Sequence, residues 1–82
     1  MLWKLLGGLA LALIAAVVID EIITRQKIKE TMSKHSIKKG IINMINHSTN
    51  TVKLKDFFSD RVLEIRGDKV SDEISEGDVI YA

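Results

Sequence analysis

From Leu5 to Ile19 the chain runs fifteen residues without a charged or strongly polar side chain, and no other feature constrains its fold as tightly. Met1, Leu2 and Trp3 carry the apolar character past Lys4, so Met1–Ile19 counts nineteen residues. At about 1.5 Å per residue, a helix of that length approaches a hydrocarbon layer about 30 Å thick. Lys4 is tolerable near a helix end because its long side chain can snorkel to the headgroups, and Trp3 stands where an interfacial aromatic belongs. The run is apolar on every side rather than along one stripe, which argues against a buried helix of a soluble protein. It also passes directly into Val17, Val18, Ile19 and Asp20 without the small residues of a cleavage site, so a retained anchor is expected rather than a removed signal.

Beyond Ile19 the pattern turns amphipathic, with Ile19, Ile22, Ile23, Ile28 and Met32 recurring near helical spacing among charged residues. Neither Gly nor Pro interrupts residues 9–39. The expectation is one continuous helix from Trp3 to Lys34 that leaves the membrane near Asp20 and continues as a stalk. Charge is sorted along the chain: Arg25, Lys27, Lys29, Lys34, Lys38 and Lys39 against Glu30 give residues 25–39 a balance of +5, whereas eight acids against three bases give residues 56–82 a balance of −5. A basic collar beside an apolar helix suits an anionic bilayer surface, with Lys4, Arg25, Lys27, Lys29 and Lys34 as headgroup contacts. The excess of Lys and Arg after the run places the C-terminal part in the cytoplasm by the positive-inside rule, making this a single-pass membrane protein.

The remainder reads as strands of period two. Residues 40–46, 51–56, 62–66 and 79–81 alternate, with turn chemistry at 47–50, 57–60 and 67–68 and a capped helical turn over Ser71–Glu73 that ends by Gly77. The expected core is Ile41, Ile45, Val52, Leu54, Leu63, Ile65, Val70, Ile74 and Val79, with Phe57, Phe58 and Tyr81 as core or turn residues. The expected fold class is therefore α+β. A transmembrane anchor (1–24) and a basic stalk (25–36) precede an antiparallel β domain of about four strands (37–82). Four short strands with one helical turn before the last resemble the layout of a small SH3-like or OB-like barrel, or a curled meander. Such folds host unrelated functions.

A β domain of 46 residues is near the size that needs a disulfide, a metal or association to stay folded, and the chain has no cysteine. Gly8, Ala12 and Ala16, with Gly7 and Ala15 beside them, form a small-residue ladder on one face of the expected helix, the pattern that lets two helices approach closely in lipid. A homo-oligomer through that face follows. His35 and His47 stand twelve residues apart without a companion ligand, and Asp72, Glu73, Glu76 and Asp78 do not follow a calcium-loop spacing; neither a metal nor another cofactor is expected. Asn46-His47-Ser48 fits the glycosylation sequon, but a cytoplasmic turn would not meet the enzyme.

No Gly-rich phosphate loop or nucleophile motif is present, so no catalytic residue and no small-molecule substrate is expected. The acidic β region argues against nucleic acid. The functional expectation is a membrane-anchored binding or scaffold module that recruits an unidentified protein partner or assembles with copies of itself, its partners being the lipid bilayer, itself and that protein. The alternative is a small toxin- or holin-like protein that oligomerises through its membrane helix.

Overall fold

The computed structural model describes residues 12–82, and it divides the N-terminal third differently. Ala12–Val18 is a strand, β1, followed by a two-residue strand β2 (Ile22–Ile23). The helix α1 is ten residues long, Arg25–Lys34. Then come β3 (Lys39–Asn46), β4 (Thr51–Asp56), β5 (Arg61–Arg66), β6 (Lys69–Val70) and β7 (Val79–Tyr81). Among the described residues no helix is long and apolar enough to cross a membrane. This overturns the expected helix from Trp3 to Lys34, and with it the single-pass anchor, the membrane localisation and the cytoplasmic placement derived from them.

The physical reason lies in the ambiguity of a short apolar run, which suits a membrane helix and an apolar strand alike. Ile14, Val17 and Val18 are β-branched and favour the extended backbone. β1 lies parallel to β5, with Val17 opposite Ile65 and Val18 opposite Arg66, and a bulge falls between Leu13 and Ala15. The helix starts later because Thr24 caps it. Thr24 has an extended backbone, and its side chain accepts the Lys27 N–H at 3.2 Å. α1 ends at His35, beyond which Ser36 takes a left-handed φ of 59° and the Ile37 N–H returns to the Met32 carbonyl at 2.9 Å.

The main sheet has the order β1-β5-β4-β3-β7. β5, β4, β3 and β7 are antiparallel neighbours, whereas β1 joins parallel, so the sheet is mixed rather than the antiparallel barrel or meander expected. β2 and β6 form a second parallel pair. That pair continues the β1–β5 pairing past a break at which Gly67 admits the neighbouring chain: a Cβ there would lie 2.7 Å from Ile23 Cγ1 and 2.8 Å from the Glu21 carbonyl oxygen.

One face of the sheet carries the core, and α1 closes it with Ile28, Thr31 and Met32. Val52, Leu54, Leu63, Ile65, Val70 and Ile74 are buried there, joined by Ile23, Ile37, Ile42 and Ile80. Two expected core residues differ. Ile41 is only partly buried and Val79 is exposed, whereas Ile45, also partly buried, does pack against the core. A register shift in β3 between Ile42 and Met44 separates Ile41 from Ile45, because one extra residue reverses the alternation along the strand, so that Ile42 points inward before the shift and Ile45 after it. In β7 the inward residue is Ile80, one position from the expected Val79.

Candidate functional site

The β3 start, the β4–β5 turn and the β7 end meet at one end of the sheet, since Lys39 pairs with Tyr81 and Gly40 with Asp56. Three of the chain's four aromatic residues stand there. Phe57 is 45% exposed, Phe58 74% and Tyr81 60%. The two phenylalanine rings meet edge to face, with centroids 5.4 Å apart and planes at 77°. Lys39 Nζ lies 3.8 Å from the Phe57 centroid and 5.2 Å from that of Tyr81, which places an ammonium over both rings.

The turn that presents these rings is tied down from several directions. Asp56 is buried; its Oδ1 accepts the Phe58 N–H at 2.9 Å and its Oδ2 accepts Arg61 Nη2 at 2.8 Å. The Phe58 N–H and the Arg61 guanidinium hold the Asp56 carboxyl below the usual carboxylate range, the N–H contributing most, although burial opposes them. Lys55 Nζ donates to the Ser59 carbonyl at 2.9 Å, Arg61 N–H to Ser59 Oγ at 3.2 Å, and Phe57 N–H to the Lys39 carbonyl at 2.9 Å. A hairpin tip secured in this way holds its two phenylalanines in a fixed, water-facing arrangement. Ordering a side chain on binding costs about 0.5–1.5 kcal/mol, and a preset turn avoids part of that.

Lys38, Lys39, Lys55 and Arg61 are the bases of this end and Asp56 and Asp60 its acids; Lys39 lies over the rings, whereas Lys38 borders a depression with Ser33, Ser36 and Ile37. Lys38 and Lys39 enter no ion pair among the described residues. The end is therefore aromatic and carries more bases than acids.

The residues singled out from sequence fall elsewhere. Gly8 and Lys4 lie outside the described residues. Ala12 and Ala16 sit in β1, opposite Arg61 and Glu64, and so on no helix face. Of the expected headgroup contacts, Arg25 bonds to Asp78 at 3.1 Å and to the Glu73 carbonyl at 3.2 Å, and Lys27 pairs with Glu21, which raises its ammonium above the usual value. Lys29 and Lys34 are exposed on α1. His35 closes the helix, its Nδ1 3.0 Å from the Thr31 carbonyl.

A shallow depression of about 230 Å³ lies on the outer sheet face among Met44, Asn46, Thr51, Lys53, Glu64 and Arg66. It is below the 300–1,000 Å³ of ordinary ligand pockets.

Sequence alone does not separate a core position from an exposed turn position for Phe57, Phe58 and Tyr81. The signal the sequence does carry is position: two consecutive phenylalanines at a hairpin tip point in different directions, and connections run over the surface. No protein-family model, curated protein or solved structure matches this chain.

Proposed function

We propose that this chain is a protein-binding module whose aromatic end is the contact surface. The observation that carries the reading is the water-facing group of Phe57, Phe58 and Tyr81 on a turn braced by buried Asp56. Binding hot spots are enriched in aromatic residues and Arg, and three exposed aromatics set side by side in so small a fold have no packing role to explain them. The ring geometry favours a protein partner over single-stranded nucleic acid, which stacks its bases on aromatic faces. Phe57 has the Lys39 ammonium over one face, and Phe58 stands at 77° to it, so the pair offers no parallel platforms.

The test uses the fact that the chain has only two phenylalanines, both in this surface. Full-length protein labelled with 4-fluorophenylalanine has two ¹⁹F resonances. On addition of extract from the producing cells, both resonances shift or broaden, and a ¹⁹F tag on Lys53 of the outer sheet face does not. Unchanged phenylalanine resonances, or an equal response at the Lys53 tag, would defeat the proposal.

A further inference from the structure

Of the six exposed large apolar residues among the described ones, five fall at two ends of the sheet, and the sixth, Val79, lies on β7. Phe57, Phe58 and Tyr81 mark one end of the sheet, and Val18 (73% exposed) and Ile22 (47% exposed) mark the other, where β1 and β5 pass into β2 and β6. Six residues of β5 separate the two ends, roughly 20 Å at about 3.3 Å each.

The second end is built from two segments locked together. Asp68 N–H donates to the Glu21 carbonyl and Ser71 N–H to the Ile23 carbonyl, each at 3.0 Å, and the Arg25 main-chain N–H donates to a Glu73 carboxylate oxygen at 3.3 Å. Residues 19–25 and 67–78 hold seven acids (Asp20, Glu21, Asp68, Asp72, Glu73, Glu76, Asp78) and two bases (Arg25, Lys69), a balance of −5. The aromatic end, residues 37–39, 55–61 and 80–82, holds four bases and two acids, a balance of +2. Asp20, Asp68 and Asp72 enter no ion pair among the described residues. One molecule thus carries a basic, aromatic pole and an acidic, aliphatic pole facing away from each other.

We infer that the partner of the aromatic end is a second copy of this chain, which docks head to tail. Phe57, Phe58 and Tyr81 of one copy seat against Val18 and Ile22 of the next, with Lys38 and Lys39 facing its Asp20 and Asp68. The inference rests on the reading of the aromatic end as a binding surface and names its occupant by charge complementarity and by the apolar residues present at both poles. A contact between unlike surfaces leaves one free pole at each end, so it propagates into a chain or closes into a ring instead of stopping at a dimer. The like-with-like alternative would set Lys38 and Lys39 of two copies against each other.

Complementary variants decide the matter. Phe58→Asp spoils the basic pole and leaves the acidic one intact; Val18→Lys does the reverse. Both positions are about three-quarters exposed, and circular dichroism melting checks that each variant is folded. By sedimentation velocity, wild type grows beyond dimer with concentration, each variant alone stays monomeric, and an equimolar mixture forms a one-to-one dimer. Raising NaCl from 50 to 500 mM weakens wild-type association several-fold, because the exposed charges are screened.

Dimers from Val18→Lys alone, with none from Phe58→Asp, would replace the inference with an aromatic-to-aromatic contact. A wild type monomeric at every concentration would overturn it as well. In that case the ¹⁹F response to extract separates the two claims: a response that persists leaves the aromatic surface serving a different protein, and its absence removes both. Association restored by removing residues 1–11 would show that the chain's own N-terminal segment, and not a second copy, fills the site.

Discussion

Asp56 is where sequence, stability and the aromatic end meet, and Asp56→Ala tests the connection. Its carboxylate accepts the part-buried Phe58 N–H at 2.9 Å and Arg61 Nη2 at 2.8 Å. A hydrogen bond to a charged group contributes about 1.5–3 kcal/mol. The Arg61 side chain is 45% exposed, so that pairing adds about 1 kcal/mol at most. Asp56→Ala should therefore cost about 2–3 kcal/mol, a fall in Tm of roughly 10–20 °C at about 4–8 °C per kcal/mol. Asp56→Asn keeps an acceptor for the Phe58 N–H and should lose about half as much.

The pH dependence has a fixed sign. The folded carboxyl titrates below its ordinary value, so its contribution is complete above the unfolded value near 4 and is lost as pH falls through the lowered folded value. Urea unfolding of wild type and Asp56→Asn from pH 7 to pH 2.5 should show a constant gap down to about pH 5 that closes below about pH 4. A gap unchanged at pH 2.5, or an Asp56→Ala variant within about 0.5 kcal/mol of wild type, would refute the bracing role.

Val17 packs against the core and Val18 is exposed, so Val17→Asp should cost about 2 kcal/mol or more and Val18→Asp less than about 0.5 kcal/mol by chemical denaturation, a contrast that a helix apolar on every side would not show. Gly67→Ala should destabilise by more than 1–3 kcal/mol because its Cβ would meet the Glu21 carbonyl oxygen at 2.8 Å, whereas Gly77→Ala, in open space at φ +92°, should cost about 1 kcal/mol from backbone strain alone; thermal melts of the two variants check the order. Glu76 accepts the Ile45 N–H on the β3 edge beyond β7 at 2.9 Å, and Glu76→Ala should raise thioflavin-positive aggregation on storage by leaving that edge group unpaired.

The strands from residue 40 to 66 were legible because Val52, Leu54, Leu63 and Ile65 alternate cleanly with charged residues and the turns between them carry polar residues. The inward face of β3 was not, since the shift between Ile42 and Met44 leaves no mark on a pattern that is apolar at Ile41, Ile42, Met44 and Ile45 alike. The N-terminal third misled for a deeper reason. Hydropathy alone does not separate a membrane helix from a strand, and what decides here is a partner nearly fifty residues away: β5 offers Ile65 and Arg66 to Val17 and Val18. Thr24 is a readable helix start, but the absence of Gly or Pro from residues 9–39 hides the cap within one apparent helix. The aromatic end required knowing that Lys39, Phe57 and Tyr81 converge, and only the pairing of β3 with both β4 and β7 brings them together.

Site-specific photo-cross-linking in living cells tests whether the braced aromatic end is the surface through which this chain binds protein. A benzophenone side chain is placed in turn at Phe58, Tyr81, Lys53 and Lys29, the last two on the outer sheet face and on the exposed side of α1. Discrete adducts are expected from positions 58 and 81, abolished in an Asp56→Ala background at a temperature where that variant remains folded, and none from 53 or 29. Adducts of equal yield from all four positions, or none from 58 and 81, would contradict it.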